Sequence, residues 1–192
     1  MIKKIIALLA AILLGAAGWY FLYWEKTPAY AAGEIQQAVQ KKDYQLFRER
    51  VDMDKVYGYA VDDIADYLRE DGKPDHRIAA ALLKGLKKEA VGALEQYTER
   101  KFRGTETEKS FFDEPTKKIT AYIGSEALML TDILNVEEKD GKAVVSIRLH
   151  DKKLDKDFTW QVQLEKDVNG NWTATRVLNL KDYLKEREAA SK

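Results

Sequence analysis

The sequence predicts an α+β fold in which helices come first and an antiparallel sheet comes last. As far as Gly124, apolar residues recur three or four positions apart, which is the spacing of one helix face. From about Leu128 the period changes to two, as where Val145 and Ile147 alternate with polar neighbours. The pair Asp140-Gly141 is a hairpin signal inside this second part. We therefore expect several helices packed on one face of a C-terminal antiparallel sheet of about four strands.

The composition is that of a globular chain with a limited range of chemistry. Its 192 residues include 32 basic and 32 acidic side chains, so the formal net charge is zero. This balance argues against a dedicated nucleic-acid-binding protein, which needs a basic surface. The chain has no cysteine, which excludes disulfides, thiolate metal sites and thiol catalysis, and it has only two histidines. We expect no cofactor and no metal site.

An uncharged segment of twenty residues, Ile5 to Trp24, follows Lys3 and Lys4. Twenty helical residues span about 30 Å, which is the thickness of the hydrocarbon core of a bilayer. The end of the segment is rich in aromatic residues, which favour the membrane–water boundary, and the lysines before it favour the cytoplasmic side. We interpret it as a single-pass transmembrane anchor in the cytoplasmic membrane, over 5–24, with a cytoplasmic tail, 1–4, and an extracytoplasmic domain, 25–192. The implied partner is the lipid bilayer.

Two other interpretations of this segment stay open. Ala29-Tyr30-Ala31 has the small–x–small form that signal peptidase recognises, so the segment is alternatively a signal peptide cleaved near Ala31. The charged residues Glu25 and Lys26 before that motif, and the length of the apolar run, favour the uncleaved anchor. A buried helix of a soluble protein is the third interpretation. The first two both export the rest of the chain, which carries 30 basic and 32 acidic groups.

Three helices are predicted before residue 72. Pro28 suits the first turn of the first helix, where its missing N–H costs nothing. Asp43 is the predicted cap of a second, shorter helix. Asp52 or Asp54 opens the third helix, which carries apolar residues at helical spacing to about Glu70.

A longer helix is predicted next, from a cap at Asp75 to about Phe102. Gly85 and Gly92 lie inside it, where each costs about 1 kcal/mol relative to alanine. They predict either a bend or the close approach of another backbone. A loop and then a short helix ending at Gly124 follow, which completes a helical part over 28–124.

The sheet is predicted over 127–180, and a terminal helix over 181–190. The strand segments, as their spacing and turns delimit them, are Leu128–Glu138, Ala143–Leu149, Phe158–Leu164 and Trp172–Leu178. Short turns between consecutive segments indicate an antiparallel meander.

Several short motifs resemble one bacterial family of membrane-anchored proteins. They are the aromatic end of the apolar segment, Thr27-Pro28-Ala29-Tyr30, Ile35-x-x-Ala38-Val39, Lys42-Asp43 with Phe47, Val51-Asp52, and Gly170-Asn171-Trp172. The pattern resembles the family named domain of unknown function 2939, although the family often continues directly from proline to tyrosine, where Ala29 intervenes here. The resemblance covers residues 19–56 well and the rest in outline. It implies an anchored topology and supplies no catalytic residues.

A wider similarity is to cone-shaped α+β domains of the nuclear-transport-factor-two-like (NTF2-like) and cystatin-like type. The first helix of such domains often ends in alanine, followed by aspartate and an aromatic residue, as in Ala38 and Asp43-Tyr44 here. Some of these domains hold a small ligand between helices and sheet. This similarity is at the level of the fold alone.

No catalytic motif is found in the sequence. Asp62, Asp66 and Glu70 lie opposite the apolar positions of their helix, which indicates a solvated face. His76 and His150 are isolated and lack the spacing of a metal site. There is no Gly-x-Ser-x-Gly turn and no glycine-rich phosphate loop. We expect that the protein is not an enzyme, with a hydrolase as the third possibility after two binding functions.

A basic cluster lies on the fourth predicted helix, formed by Arg77, Lys84, Lys87 and Lys88. A solvated helix face is the preferred interpretation of these residues, because glutamates lie among them. Contact with anionic lipid headgroups is the alternative.

The predicted function is that of an uncharacterised envelope protein whose domain binds or scaffolds a protein partner. The alternative is an NTF2-like pocket for a small ligand or lipid. Tyr57, Trp160 and Trp172 are the weak candidates for lining such a pocket, because aromatic side chains on inward faces would meet between helices and sheet. Packing in the core is the simpler explanation of the same three residues.

Overall fold

The computed structural model describes residues 23–105, 119–120, 123–124 and 128–191, together with 5, 12, 14–16 and 18–20. Within these ranges, no helix is both long enough and apolar enough to cross a bilayer. Half of the predicted anchor, 5–24, lies outside the described residues. The anchor therefore stays a prediction.

The described part of the chain contains a short 3₁₀ helix and six α-helices. The 3₁₀ helix is Trp24–Lys26, and the α-helices are α1 Pro28–Lys41, α2 Tyr44–Arg50, α3 Met53–Glu70, α4 Pro74–Gly85, α5 Lys87–Arg103 and α6 Leu180–Ala190. Of these six α-helices, five precede the sheet and one follows it, as the order of the sequence patterns predicts.

Side-chain caps begin the first three α-helices. The Thr27 hydroxyl accepts the N–H of Tyr30, and the carboxylates of Asp43 and Asp52 accept the N–H groups of the residues three positions on. Each cap satisfies a backbone donor that has no partner within its helix. The caps predicted at Asp43 and Asp52 are confirmed. The cap predicted at Asp75 is wrong, because α4 begins one residue earlier with Pro74 in its first turn and Lys73 before it.

The long helix predicted from Asp75 to Phe102 is two helices. Leu86 separates α4 from α5 with φ −112° and ψ 30°, which are not helical values. A Cβ at either Gly85 or Gly92 would meet nothing within 4 Å. Close approach of another backbone is therefore not the reason for these glycines, and the break after Gly85 agrees with the predicted bend.

The four strands form one antiparallel sheet in sequence order, with β1 Leu128–Lys139, β2 Lys142–Asp151, β3 Lys156–Lys166 and β4 Trp172–Val177. Ala143 pairs with Leu164 and Ile147 with Trp160, so the apolar residues of β2 and β3 share one face. Val51 adds a parallel bridge to Ala174 at the β4 edge. The predicted α+β class and its four-stranded meander are confirmed.

Two hydrophobic clusters join the helices to the sheet. In the first, Val61, Ile64 and Leu68 of α3 pack with Phe158 and with α6. In the second, Ala31 and Ala32 of α1 pack with the inner face of the sheet. The helices thus cover one face of the sheet and leave the other face to solvent, because apolar residues occupy alternate positions of each strand.

The short helix predicted up to Gly124, and the loop predicted before it, lie mostly outside the described residues. Ile119 and Thr120 are helical and buried. Gly124 has a φ of +70°, which favours glycine.

Candidate functional site

The inner face of the sheet, which packs against the helices, is less completely buried in its middle than toward its ends. Toward the two ends its buried positions on β2 and β3 are Ala143, Val145, Leu149, Phe158 and Leu164. Between them, Ile147, Trp160 and Val162 are only half-buried. Ile147 lies directly opposite Trp160, and Val162 is the next inward residue along β3. We call these three residues the central band.

The central band lies where the two hydrophobic clusters meet. Trp160 packs against the first cluster, whereas Ile147 and Val162 pack against the second. Tyr57 of α3 packs against both clusters, which places it at the same junction. Two of the three aromatic residues predicted to line a pocket, Tyr57 and Trp160, are thus at this junction.

Tyr57 is held in place through its hydroxyl. That oxygen lies 2.6 Å from Oγ1 of Thr98 on α5. Burial raises the pKa of Tyr57 to about 12, and the hydrogen bond to Thr98 opposes this shift. The phenol is therefore neutral near pH 7, where it can pack and form hydrogen bonds but has no role as a base.

Trp160 has a polar atom without a partner. Its ring packs edge-on against Tyr183 of α6, with the ring centroids 5.3 Å apart. Its indole Nε1 is buried, and no acceptor for it is present among the described residues. A buried donor without an acceptor costs about 1–3 kcal/mol. A hydrogen-bond acceptor that reached this atom would remove that cost.

Trp172 belongs to a different place in the fold. It is 1% exposed and lies in the second cluster, at the start of β4. Its indole N–H donates a hydrogen bond to the main-chain oxygen of Lys26 at 3.0 Å, and the amine of Lys166 lies 4.8 Å from the centre of its ring. The structure does not bring this residue to the central band.

A polar groove of about 500 Å³ lies beside the β3–β4 turn. Its lining comes from the end of α2 and from the turn, and comprises Arg48, Glu49, Arg50, Val51, Asp52, Asp167, Asn169, Asn171 and Thr173. Several of its charges are already paired, since Arg50 binds Glu34 and Lys55 binds Asp52. The sequence analysis did not predict this groove. It predicted only the turn Asn169-Gly170-Asn171, which forms one side of the groove.

The two histidines pair with exposed acids. Nδ1 of His76 is 2.6 Å from Asp71, and Nδ1 of His150 is 2.9 Å from Asp157. His150 and Asp157 occupy the outer face of the sheet, since they alternate with inward-facing Leu149 and Phe158. In the described ranges, no group of three or more His, Asp or Glu residues could hold a metal ion.

The carboxylates of α3 pair with basic residues of neighbouring helices. Asp62 binds Lys87 and Asp66 binds Lys84, at 2.7 and 2.8 Å. Exposed pairs of this kind contribute about 0–1 kcal/mol each. Two members of the predicted basic cluster are thus engaged within the domain, as expected for a solvated helix face.

One ion pair is largely buried, since the side chain of its arginine, Arg187, is 17% exposed. The carboxylate of Asp151, which is 0% exposed, accepts hydrogen bonds from the Nε of Arg187 at 3.0 Å and from the N–H groups of Lys153 and Leu154. Burial on its own raises the pKa of Asp151, but these three donors outweigh it and hold the pKa below its usual range. Asp151 is inward-facing, so it does not pair with neighbouring His150.

A second internal pair behaves differently. Arg176 donates to Asp63 at 3.3 Å, and its guanidinium lies 4.6 Å from the centre of the Tyr59 ring. Burial raises the pKa of Asp63 above its usual range, because desolvation outweighs the opposing effect of Arg176. Both internal pairs join separate elements of the fold.

Comparisons with protein-family models, with curated proteins and with solved structures gave no match. The resemblance to the family of unknown function stays a prediction. The fold and the contacts of its own residues therefore carry the functional argument.

Proposed function

We propose that this chain is a non-catalytic binding domain of the bacterial cell envelope, held at the cytoplasmic membrane by residues 5–24. In this arrangement residues 1–4 lie inside, and residues 25–192 lie outside and bind a protein partner. The observation that best supports the proposal is the bond from Trp172 to Lys26. It ties the end of the apolar segment to the core of the domain.

The position of the small–x–small motif supports an uncleaved anchor over a signal peptide. Ala29-Tyr30-Ala31 lies in the first turns of α1, and Ala31 and Ala32 are 1% and 6% exposed. Cleavage after Ala31 would remove the start of this helix, its Thr27 cap and the acceptor of Trp172. A signal peptidase needs an extended, accessible segment, whereas this one is helical and buried in the folded domain.

Aromatic residues at the end of the apolar segment support a membrane–water boundary there. The exposed ones are Trp19, Tyr20, Tyr23 and Trp24. Rings with an apolar body and a polar tip favour the level of the lipid headgroups. Pro28, which is buried in the domain, follows Trp24 after three residues. The domain is thus held close to the boundary without a flexible linker.

The test is to express the full chain with a C-terminal tag and to follow the tag. We expect the tagged protein to stay in the membrane fraction after alkaline extraction and to have the mass of the full chain. Protease added outside the cytoplasmic membrane should degrade the tagged domain. The control is residues 25–192 exported behind a cleavable leader, which should be released in soluble form. A mature chain that begins at Ala32 would contradict the anchor. Proteins that co-purify with the full chain but not with the released control identify the partner.

A second function is supported by the central band. Half-buried Ile147, Trp160 and Val162, with the unpartnered Nε1 of Trp160, suit an apolar ligand that has one acceptor group, such as a fatty acid. The probe is a fluorescent fatty acid titrated into the full chain in detergent.

Two tryptophan substitutions test this binding. Val162→Trp fills the central band and should abolish binding of the probe. Thr159→Trp places the same ring on the outer face of the same strand, where the native residue is exposed, and should leave binding unchanged. Equal binding by both variants would exclude the central band as the site.

A further inference from the structure

The two ends of the sheet carry different turns. Lys139 pairs with Lys142, and Lys166 pairs with Trp172. The β1–β2 turn and the β3–β4 turn over 167–171 therefore lie at the same end, which we call the proximal end. The β2–β3 turn over 152–155 lies at the opposite, distal end. Strand β3 has 11 residues between them, which corresponds to about 35 Å.

The proximal end lies beside the end of the N-terminal apolar segment. Trp172, at the start of β4, donates its indole N–H to Lys26. The guanidinium of Arg50, which lines the groove beside the β3–β4 turn, lies 6.0 Å from the centre of the Tyr30 ring. Tyr30 in turn packs edge-on against Tyr20, with centroids 6.5 Å apart. A chain of contacts thus joins the turn to the aromatic end of the segment.

Val168 projects from the β3–β4 turn into solvent. It is 101% exposed, the highest value among the large apolar side chains of the described residues. The turn beneath it is well fixed, because the carboxylate of Asp167 accepts the N–H groups of Asn169 and Asn171, each at 2.8 Å. The N–H of Asp167 also bonds to the carbonyl of Asn171. A single exposed aliphatic residue is common, but this one is held rigidly at the end where the apolar segment joins the domain.

We propose that the β3–β4 turn, with Val168 at its tip, contacts the outer surface of the phospholipid bilayer. This inference rests on the proposed membrane anchor. Only three residues separate Trp24 from Pro28, and the hydrogen bond from Trp172 to Lys26 fixes this connection to the proximal end. The proximal end of an anchored domain would therefore face the lipid. There the Val168 side chain leaves water for the interfacial region, which is favourable for an aliphatic group.

The charges around the turn indicate whether the contact needs anionic lipid. Lys142 binds Glu165 at 2.6 Å, and Lys166 is followed directly by Asp167. Because basic and acidic groups alternate at the proximal end, the contact does not depend on anionic lipid. It should form on bilayers of phosphatidylcholine alone.

The absence of cysteine in the chain allows a single label to test the contact. Val168→Cys in the full chain is coupled to an environment-sensitive dye and reconstituted into phosphatidylcholine vesicles, some with a nitroxide quencher on the lipid headgroup. The control is Asp155→Cys with the same dye, in the distal β2–β3 turn, where the Asp155 side chain is 97% exposed. Flotation of the vesicles shows whether the chain is inserted.

We expect the dye at position 168 to emit at shorter wavelength than the dye at position 155. It should also be quenched by the nitroxide at least roughly twofold more, because it lies at headgroup depth. If the chain floats with the vesicles and both dyes report water, the Val168 contact is wrong and the anchor stands. If the chain does not float with the vesicles, the anchor and the contact both fail.

Discussion

The indole N–H of Trp172 donates a hydrogen bond to the main-chain oxygen of Lys26 at 3.0 Å, across 146 positions of sequence. This bond joins the last strand of the sheet to the residues just after the apolar N-terminal segment. Trp172 is almost fully buried, so the bond lies away from competing water. It connects the core of the domain to the residues that follow the apolar segment.

Trp172→Phe should lower the free energy of unfolding by about 2 kcal/mol or more, since it removes a buried hydrogen bond and leaves part of the cavity of the indole empty. The measurement is chemical denaturation of the full chain in detergent, followed by far-ultraviolet circular dichroism.

The matched control is Trp160→Phe, which makes the same chemical change where the indole N–H has no acceptor among the described residues. It should cost less, because no hydrogen bond is lost. Equal costs for the two variants would show that the bond to Lys26 contributes nothing.

Gly124→Ala should destabilise the fold more than Gly104→Ala. Both glycines have a left-handed φ, +70° and +71°, so each alanine carries the same backbone strain of about 1–2 kcal/mol. A Cβ at Gly104 would meet nothing within 4 Å, whereas a Cβ at Gly124 would collide with the guanidinium of Arg187. Arg187 cannot move away freely, because it is bonded to buried Asp151.

The difference between the two unfolding free energies isolates that collision. We expect it to be on the order of 1–2 kcal/mol. Identical values would mean that the Arg187 side chain relaxes without cost.

Asp151→Asn should cost about 3 kcal/mol at pH 7, because it leaves the largely buried charge of Arg187 without its counter-charge. The native pKa of Asp151 is lowered, so the stability that this group contributes is present above its unfolded pKa of about 3.9. That contribution is lost as the pH falls through the lower, native value.

The measurement is the denaturation midpoint of the full chain between pH 7 and pH 2. The wild type should lose stability below about pH 4 more steeply than Asp151→Asn does. Parallel curves would contradict the role assigned to this carboxylate.

Asp63→Asn should cost less than Asp151→Asn at pH 7, although Asp63 also pairs with an arginine, because the desolvation of its charge outweighs the attraction of Arg176. Its pKa is raised by burial, so its contribution to stability is present below the unfolded value of about 3.9 and is lost as the pH rises through the native value.

As the pH rises from 3 to 7, the free energy of unfolding of the wild type should therefore fall relative to that of Asp63→Asn. The midpoints of both proteins from pH 3 to pH 7 test this, with Asp151→Asn as the comparison of opposite sign. If the wild type instead became more stable than Asp63→Asn as the pH rose, the raised pKa of Asp63 would be contradicted.

Local patterns accounted for much of the fold. The change of period near Leu128 predicted the sheet, since alternation of apolar and polar residues reflects one buried face. Asp43 and Asp52 were identified as caps because a carboxylate one position before a helix accepts its free N–H groups. The prediction at Asp75 failed because proline at the first helical position competes with a side-chain cap as a start signal.

The candidate site could be predicted only in part. Tyr57, Trp160 and Trp172 have similar sequence surroundings as aromatic residues on apolar faces. The residues next to them in sequence do not indicate that Trp172 packs in the second cluster and bonds to Lys26. Nor do they indicate that Trp160 is half-buried, with an indole N–H that has no acceptor among the described residues. Burial depends on which elements pack together, and that is set by contacts between residues distant in sequence.

The sequence by itself determined the order of helices and strands, the hairpin turns, the absence of thiol chemistry and the apolar segment 5–24. These depend on composition and on spacing along the chain. Only the tertiary structure decided that Asp151 meets Arg187, that Val168 stands alone in solvent at the proximal end, and that Ala31 is buried. The Asp151–Arg187 pair depends on the packing of α6, and the burial of Ala31 depends on the packing of α1, because a side chain acquires its surroundings only when distant elements come together.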